Sequence, residues 1–394
     1  MASQQHNIVS PILGTIFKVK VSVGDQVRHN QEIVILESMK MEHPVEAGVD
    51  GTVTVVAVAE GDTIASGQLL ISIAPGEVNP PATAETTQQA QGERADLQRY
   101  QERRHLTSDD ARPEAVARRA AKGQRTARAN ITDLVDDGSF VEYGSFAIAA
   151  QRQRRELDDL IRNTPADGLV GGLASVNASE FGEDASRIAV ASYDYTVLAG
   201  TQGFLNHRKK DRLFSVAEQL RTPFVLFAEG GGGRPGDTDA AGVAGLDGPA
   251  FALFARLSGL VPLVGITSGY CFAGNAALLG CCDVIIATEN SNIGMAGPAM
   301  IEGGGLGVVK PTDVGPIEVQ TQNGVVDVRV PDEAAAVAVA KKYLGFFQGA
   351  TKTWKRNEDA ALRPLIPEQR TRVYDVRTVI DALADIDSAL ELRP

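Results

Sequence analysis

Residues 37–43 read Glu37-Ser38-Met39-Lys40-Met41-Glu42-His43, and they stand between two copies of one sequence pattern. A shift of 37 positions superposes Gly14-Thr15 on Gly51-Thr52, Gly24-Asp25 on Gly61-Asp62, Gln31 on Gln68 and Val34 on Ile71. Each copy is a β-branched run, a Gly-Asp turn and a second apolar run that ends near Leu36 or Ile73. Apolar residues such as Ile16, Val19 and Val21 suit half-buried strands, and Gly-Asp suits a tight turn. Two copies of one β unit predict a small, pseudo-twofold, flattened all-β barrel over residues 1–75, with a hairpin between the copies at 37–50. Lys40 at the tip of that hairpin is a poor core element, because its ammonium must stay solvated. A surface lysine on a turn is the ordinary reading. Its place at the centre of an internal twofold, bracketed by Met39 and Met41, singles it out.

Downstream, APGEVNPPATAETTQQAQG is rich in Pro, Ala, Thr and Gln and nearly free of large apolar residues, so a flexible linker is expected at 76–93. Residues 94–128 carry ten Lys or Arg against five Asp or Glu in a helical pattern. A packing helix, one that lines the route of an anionic ligand such as coenzyme A, is favoured over nucleic-acid binding, because no aromatics are interleaved for base stacking. The whole chain has 394 residues, 43% hydrophobic and 22% charged, which predicts two or three globular domains. Its net charge of −12 argues against general nucleic-acid binding. Cys271, Cys281 and Cys282 are too few and too close for a disulfide framework or a zinc site, so no metal is expected. No apolar run approaches membrane length and MASQQHN lacks a signal-peptide pattern, so the expectation is a cytoplasmic protein without a membrane partner.

From residue 165 the pattern becomes α/β. Strand-like runs at 168–176, 188–198, 223–228, 262–268 and 283–287 are separated by helical patterns at 204–220 and 247–259, which implies mostly parallel pairing. Three glycine clusters fall at successive strand ends. They are Glu229-Gly230-Gly231-Gly232-Gly233-Arg234-Pro235-Gly236-Asp237, the run from Ser268 to Ala276, and Gly294-Met295-Ala296-Gly297-Pro298 with Glu302-Gly303-Gly304-Gly305 after it. None is a Walker A loop or a dinucleotide fingerprint. Each alone could be a turn requiring positive φ. Together they point to a surface of backbone donors, suited to a reaction that develops negative charge on oxygen.

Two resemblances organise these observations. Residues 7–73 resemble a biotinyl carrier domain, whose biotin is attached to the lysine of a Met-Lys-Met turn; this implies Lys40 as the attachment site, with Met39 and Met41 marking it for a biotin protein ligase. Lipoyl domains share the fold but usually place Asp before the lysine and Ala after it, and this chain has neither. Residues 93–394 resemble the N-terminal part of a biotin-dependent carboxyltransferase, a crotonase-like (ClpP/crotonase) α/β fold. The stretches that carry the likeness include ADGLVGG, YDYTVLAGTQGFLNHRKKDRLF, FAEGGGGRPGD and CFAGNAALLGCCDVIIATENSNIGMAGPAMIEGG. The EGGGGRPGD variant is more similar to single-chain acyl-CoA carboxylases than to separate carboxyltransferase subunits, which usually read DSGGARIQEG.

The resemblance implies a domain order of 1–75 biotinyl, 76–93 linker, 94–370 carboxyltransferase and 371–394 the start of a second crotonase-like unit. That last stretch repeats an earlier one at a shift of 249: Ile131, Leu134, Asp136, Ser139 and Glu142 match Ile380, Leu383, Asp385, Ser388 and Glu391. It also implies an enzyme of fatty acid metabolism that moves a carboxyl group from carboxybiotin on Lys40 to an acyl-CoA. The backbone N–H groups of Gly274 and Asn275 would stabilise the thioester enolate. The family usually has Gly-Gly there, so Asn275 is a departure whose side chain would narrow the acyl pocket. Gly230, Gly231, Gly232, Gly233 and Gly297 would approach the substrate or biotin, and Lys209, Lys210 and Arg212 are candidates for CoA phosphates, against an ordinary solvated helix face. An ATP-dependent biotin carboxylase subunit and a homo- or hetero-oligomer are the implied partners. Two alternatives remain: a non-catalytic biotin carrier and CoA-binding fragment completed by another chain, and a biotin-dependent decarboxylase component.

Overall fold

A computed structural model describes residues 5–78, 94–239 and 248–394, and the chain forms two compact units, residues 1–93 and 94–394. The linker expected at 76–93 lies almost wholly outside the described residues.

Among its described residues the first unit has eight strands: β1 (His6–Val9), β2 (Gly14–Val19), β3 (Gln26–Val27), β4 (Glu32–Ser38), β5 (Met41–Glu46), β6 (Gly51–Val56), β7 (Thr63–Ile64) and β8 (Leu69–Pro75). They pair as two four-stranded sheets, in the orders β1-β8-β6-β3 and β5-β4-β2-β7. Adding 37 to the first sequence copy turns one order into the other, with β3 and β7 exchanged between the sheets. The twofold extends to single hydrogen bonds. Asp25 accepts from Ser22 N at 2.7 Å, and Asp62 from Ala59 N at 2.8 Å. Gly24 and Gly61 adopt φ of 99° and 92°, and each donates its N–H across the unit, to Val53 O and Ile16 O. The sheets expected as a flattened barrel are not closed onto each other: they pair separately, and one core of Ile16, Ile33, Leu36, Val53, Ile64, Leu70 and Ile73 is shared between them.

Close strand contact explains Gly14 and Gly51. A Cβ on Gly51 would lie 2.3 Å from Ala74 O and 2.8 Å from Ile73 Cγ2. Gly51→Ala is therefore expected to destabilise this unit by about 1–3 kcal/mol, read as a lower transition temperature on thermal unfolding of the full chain.

The second unit holds a seven-stranded sheet with the order β18-β16-β14-β12-β11-β10-β9 and a three-stranded sheet with the order β13-β15-β17. The strands are β9 (Val141–Glu142), β10 (Leu169–Ser175), β11 (Arg187–Tyr193), β12 (Phe224–Phe227), β13 (Gly230–Gly231), β14 (Leu263–Thr267), β15 (Tyr270–Phe272), β16 (Val284–Thr288), β17 (Asn292–Gly294) and β18 (Val328–Val330). From β11 to β18 the large sheet is parallel; β9 and β10 add an antiparallel edge. Its central strands are continuous apolar runs because both faces are covered. The helix Phe204–Leu220 lays Leu213, Phe214 and Ala217 on one face. Helices Ala127–Leu134 and Glu333–Gly345 lay Ile131, Leu134, Ala336, Val337 and Leu344 on the other. No helix among the described residues is long and apolar enough to cross a membrane.

The 249-residue repeat is a repeat of structure. Arg128 clamps Glu142 at 2.9 and 3.0 Å, and Arg377 clamps Glu391 at 2.8 and 3.0 Å, after helices Ala127–Leu134 and Val376–Leu383. Ser139 Oγ donates to Asp136 O, and Ser388 Oγ to Asp385 O, both at 2.7 Å. The copies differ in burial: Ile131 and Leu134 are core residues, whereas Ile380 and Leu383 are exposed.

Candidate functional site

The hairpin between β4 and β5 pairs Ser38 with Met41 and Glu37 with Glu42, leaving Met39 and Lys40 as its two turn residues. Their φ angles are 54° and 67°. Two consecutive left-handed residues make the turn that a right-twisted hairpin favours, and for side chains other than Gly or Asn each costs about 1 kcal/mol. The reward is exposure. Met39 is 94% exposed and Met41 65%, and the Lys40 ammonium has no hydrogen-bond or ion-pair partner among the described residues. An amine displayed in this way, on a rigid tip and free of neighbours, fits acylation by a carboxylic-acid cofactor such as biotin.

In the second unit the three glycine clusters come together. Strands β13, β15 and β17 continue the chain just beyond the C-terminal ends of β12, β14 and β16, where open parallel sheets bind ligands. They lie side by side, with Gly230 opposite Cys271 and Phe272 opposite Gly294. The approach is too close for side chains: a Cβ on Gly231 would sit 2.9 Å from Phe272 Cβ, and one on Gly230 would sit 2.4 Å from Ala199 O. Gly232 and Gly233 carry the loop onward, and Gly233 bridges to Gln202. Gly297 packs against the Phe272 ring and precedes the helix Pro298–Gly303.

After β15 the chain turns at Ala273, with φ 51° and ψ −124°, into the helix Gly274–Leu279. Ala273 N–H donates to Gly294 O, and the first intrahelical bond runs from Ala277 N to Ala273 O. The backbone N–H groups of Gly274 and Asn275 therefore head the helix without an acceptor among the described residues. Two adjacent N–H donors on a strained turn can hold an oxyanion.

Three site residues stand differently from their expected places. The Asn275 side chain turns into the interior, fully buried, so it does not narrow a pocket above the donors. Lys209 and Lys210 are interior rather than on a solvated face, because the helix Phe204–Leu220 presents Asn206, Lys210, Leu213 and Ala217 to the sheet at helical spacing. Lys209 Nζ donates to Ala166 O at 3.0 Å and to Leu169 O, and burial lowers its pKa to about 8. Both ammonium groups are buried and bonded to interior oxygens. Arg212 remains exposed.

No sequence motif singles out Arg119, Asp167, Gln202, Tyr193 or Glu333, and Glu229 stands in the sequence only as the head of a glycine run. Arg119 is held between Glu229, at 2.5 Å, and Glu333, at 3.6 Å. Burial raises Glu229 to about 7 against the opposing pull of Arg119. Arg234 pairs with Asp167 in a dry setting beside Asp237. These partners lie far apart in sequence, and no local pattern joins them.

Comparison with known proteins accounts for both units. Residues 6–73 match the family described as biotin-requiring enzyme, and residues 118–394 match the carboxyl transferase domain. A solved single-chain, multi-domain long-chain acyl-CoA carboxylase superposes with a TM-score of 0.74 at 50% identity, over all of this chain and 37% of its own. The methylmalonyl-CoA carboxyltransferase 12S subunit of Propionibacterium freudenreichii subsp. shermanii is 28% identical over 75% of this chain and 56% of its own length. The biotin carboxyl carrier protein of Streptococcus mutans serotype c is 48% identical over 18% of this chain and 56% of its own. The chain thus spans little more than half the length of the curated relatives it matches.

Proposed function

The chain belongs to the carboxyl transferase domain family and opens with a biotin-carrier unit, and from this we propose that it carries biotin on Lys40 and works as the carboxyltransferase component of an acyl-CoA carboxylase. The observation that carries the reading is the pair of N–H groups at Gly274 and Asn275 with no acceptor among the described residues, present in the same chain as a displayed, acylatable lysine.

Biotin, when attached, supplies a ureido nitrogen that carries the carboxyl group. The protein's part is positioning and electrostatics. Removal of the α-proton from a bound acyl-CoA places negative charge on the thioester oxygen. The donors of Gly274 and Asn275 would stabilise that charge, each worth on the order of 10²–10³ in rate. Strands β13, β15 and β17 would bring backbone close to the substrate, with Gly230 to Gly233 and Gly297 along its path. Arg212, exposed on its helix, stays a candidate for a CoA phosphate. The domain limits that accompany this reading are 1–75 biotinyl, 76–93 linker, 94–370 carboxyltransferase and 371–394 the start of a second, similar unit. Long-chain acyl-CoA is the favoured substrate class, on the strength of the 50% identical solved relative.

The test uses the full chain, biotinylated by a biotin ligase and supplied with an ATP-dependent biotin carboxylase and labelled bicarbonate. Label is expected in acyl-CoA, most of it with the long-chain ester when acetyl-, propionyl- and long-chain esters compete. A biotinylated chain that binds CoA esters yet never labels them would leave it a carrier without transfer activity.

A further inference from the structure

The Asn275 side chain does more than vacate the pocket. Its Nδ2 donates to Glu229 O at 2.6 Å and to Gly200 O at 3.1 Å, and its Oδ1 accepts from Gln202 Nε2 at 2.6 Å. Both Nδ2 protons are used, so the amide is fixed in one orientation. The two carbonyls belong to segments in backbone contact: a Cβ on Gly200 would lie 2.7 Å from Glu229 O. One side chain thus fastens the head of the helix Gly274–Leu279 to the crossing of the 198–202 loop with β13. Gln202 is fixed in turn, since its Oε1 accepts from Lys210 Nζ at 2.8 Å. Lys210 is 1% exposed; its other partners are Tyr193 Oη at 3.2 Å and Asn206 Oδ1 at 3.4 Å, and none of the three is a carboxylate. A buried ammonium solvated by neutral groups is costly, and it polarises the amides that it donates to.

We propose that Lys210, Gln202 and Asn275 form a positioning relay that aims the backbone N–H groups of Gly274 and Asn275 at the oxyanion, with the Lys210 charge strengthening their hold on it. The inference rests on the acyl-CoA reading of this site. The ammonium stands at the start of a one-way chain of donors, from Lys210 through Gln202 to Asn275, which ends on Glu229 O and Gly200 O. Loss of its proton weakens every link and removes positive potential from behind the helix head.

The charged groups around Lys210 determine how this reads against pH. Burial lowers Lys210 to about 7, opposed by Asp211 on the same helix and Asp167 in the turn before β10, and reinforced by Arg234. Lys209, at about 8, is held by other carbonyls. His207 is held near 3 by burial and by Lys210 and Arg234, so it is neutral, and burial keeps the Tyr193 phenol protonated. Glu229, at about 7, faces Arg119.

The test compares two CoA thioethers by calorimetry on the full biotinylated chain. One ends in a sulfonate, a permanent anion at the enolate's place; the other ends in a neutral alkyl group of the same length. Wild type is expected to favour the sulfonate, with a preference that falls as pH rises through about 7. Lys210→Met and Gln202→Leu are expected to weaken sulfonate binding about 10- to 100-fold. Alkyl binding should hold within about threefold. Lys210→Met should also remove the pH dependence. Tyr193→Phe, which keeps the packing and deletes one partner of the ammonium, should move the fall to lower pH; it keeps the test decisive if Lys210→Met does not fold. Equal losses for both probes would make the relay merely structural and overturn the inference. So would unchanged sulfonate binding, or a fall with pH that survives in Lys210→Met and therefore belongs to Glu229 or Lys209. A wild type that binds both probes equally leaves the acyl-CoA reading intact and sinks the relay. One that binds neither sinks both.

Discussion

Lys40→Arg is expected to yield a chain that takes up no biotin and transfers no carboxyl group, a complete loss. Acylation needs a neutral amine, and a guanidinium does not deprotonate in proteins. Arginine keeps the length, charge and solvation of the side chain, and a left-handed φ of 67° costs it no more than it costs lysine. The hairpin therefore survives, and the loss is chemical rather than structural. Intact mass reports the missing biotin, and bicarbonate label in acyl-CoA reports the missing transfer. Residual label above background in Lys40→Arg would place the cofactor on another residue.

Arg234→Met is expected to destabilise the second unit by about 3–5 kcal/mol, because it leaves the Asp167 carboxylate uncompensated in the interior. Asp167 has no exposed surface in its side chain; it is bonded by Arg234 and by Asn206 N at 2.7 Å. Arg234 also reaches Thr201 Oγ1 at 3.2 Å and Thr201 O at 2.9 Å, so a loop ending is lost with it. Burial already raises the Asp167 pKa, with Arg234 as the chief opposing influence. Without Arg234 the folded-state value rises further above the unfolded value of about 3.9. A carboxyl raised in this way binds more protons folded than unfolded. The variant is accordingly least penalised below about pH 4 and loses stability as pH rises through the folded value, where it levels off. Chemical denaturation at several pH values checks both the size and the direction. A double variant with Asp167→Leu should recover part of the loss; no recovery would put the effect on Thr201 instead.

Much of this architecture can be read in the chain itself. The 37-residue repeat marks the Gly-Asp turns and the hairpin between the copies, because each turn is closed locally by its own Asp, which accepts from Ser22 N or Ala59 N. The apolar runs from 168 to 287 marked the sheet, since parallel strands covered on both faces need continuous hydrophobic sequence. The glycine clusters were visible as well, and their lateral pairing follows from their shared position after successive strands. Barrel closure was not legible, because it depends on whether sheet edges meet in space. Lys209-Lys210-Asp211-Arg212 reads as solvated on composition alone. Positions 206, 210, 213 and 217 nevertheless keep helical spacing on the sheet-facing side, and a lysine among them is buried for its neutral partners rather than in spite of its charge. The orientation of Asn275 was likewise hidden, since its three partners come from residues 46 to 75 positions away.

The small sheet of β13, β15 and β17 limits how this surface can be re-engineered. At Gly230, Gly231 and Gly294 its strands leave no room for a Cβ, so a saturation library at these positions has no functional side chain to exchange. Most members would report steric intolerance, not altered chemistry. Retargeting the acyl group must work through the walls, where side chains exist. Deleting one of the backbone donors at Gly274 and Asn275 calls for a change the genetic code does not ordinarily offer, the replacement of a single amide by an ester.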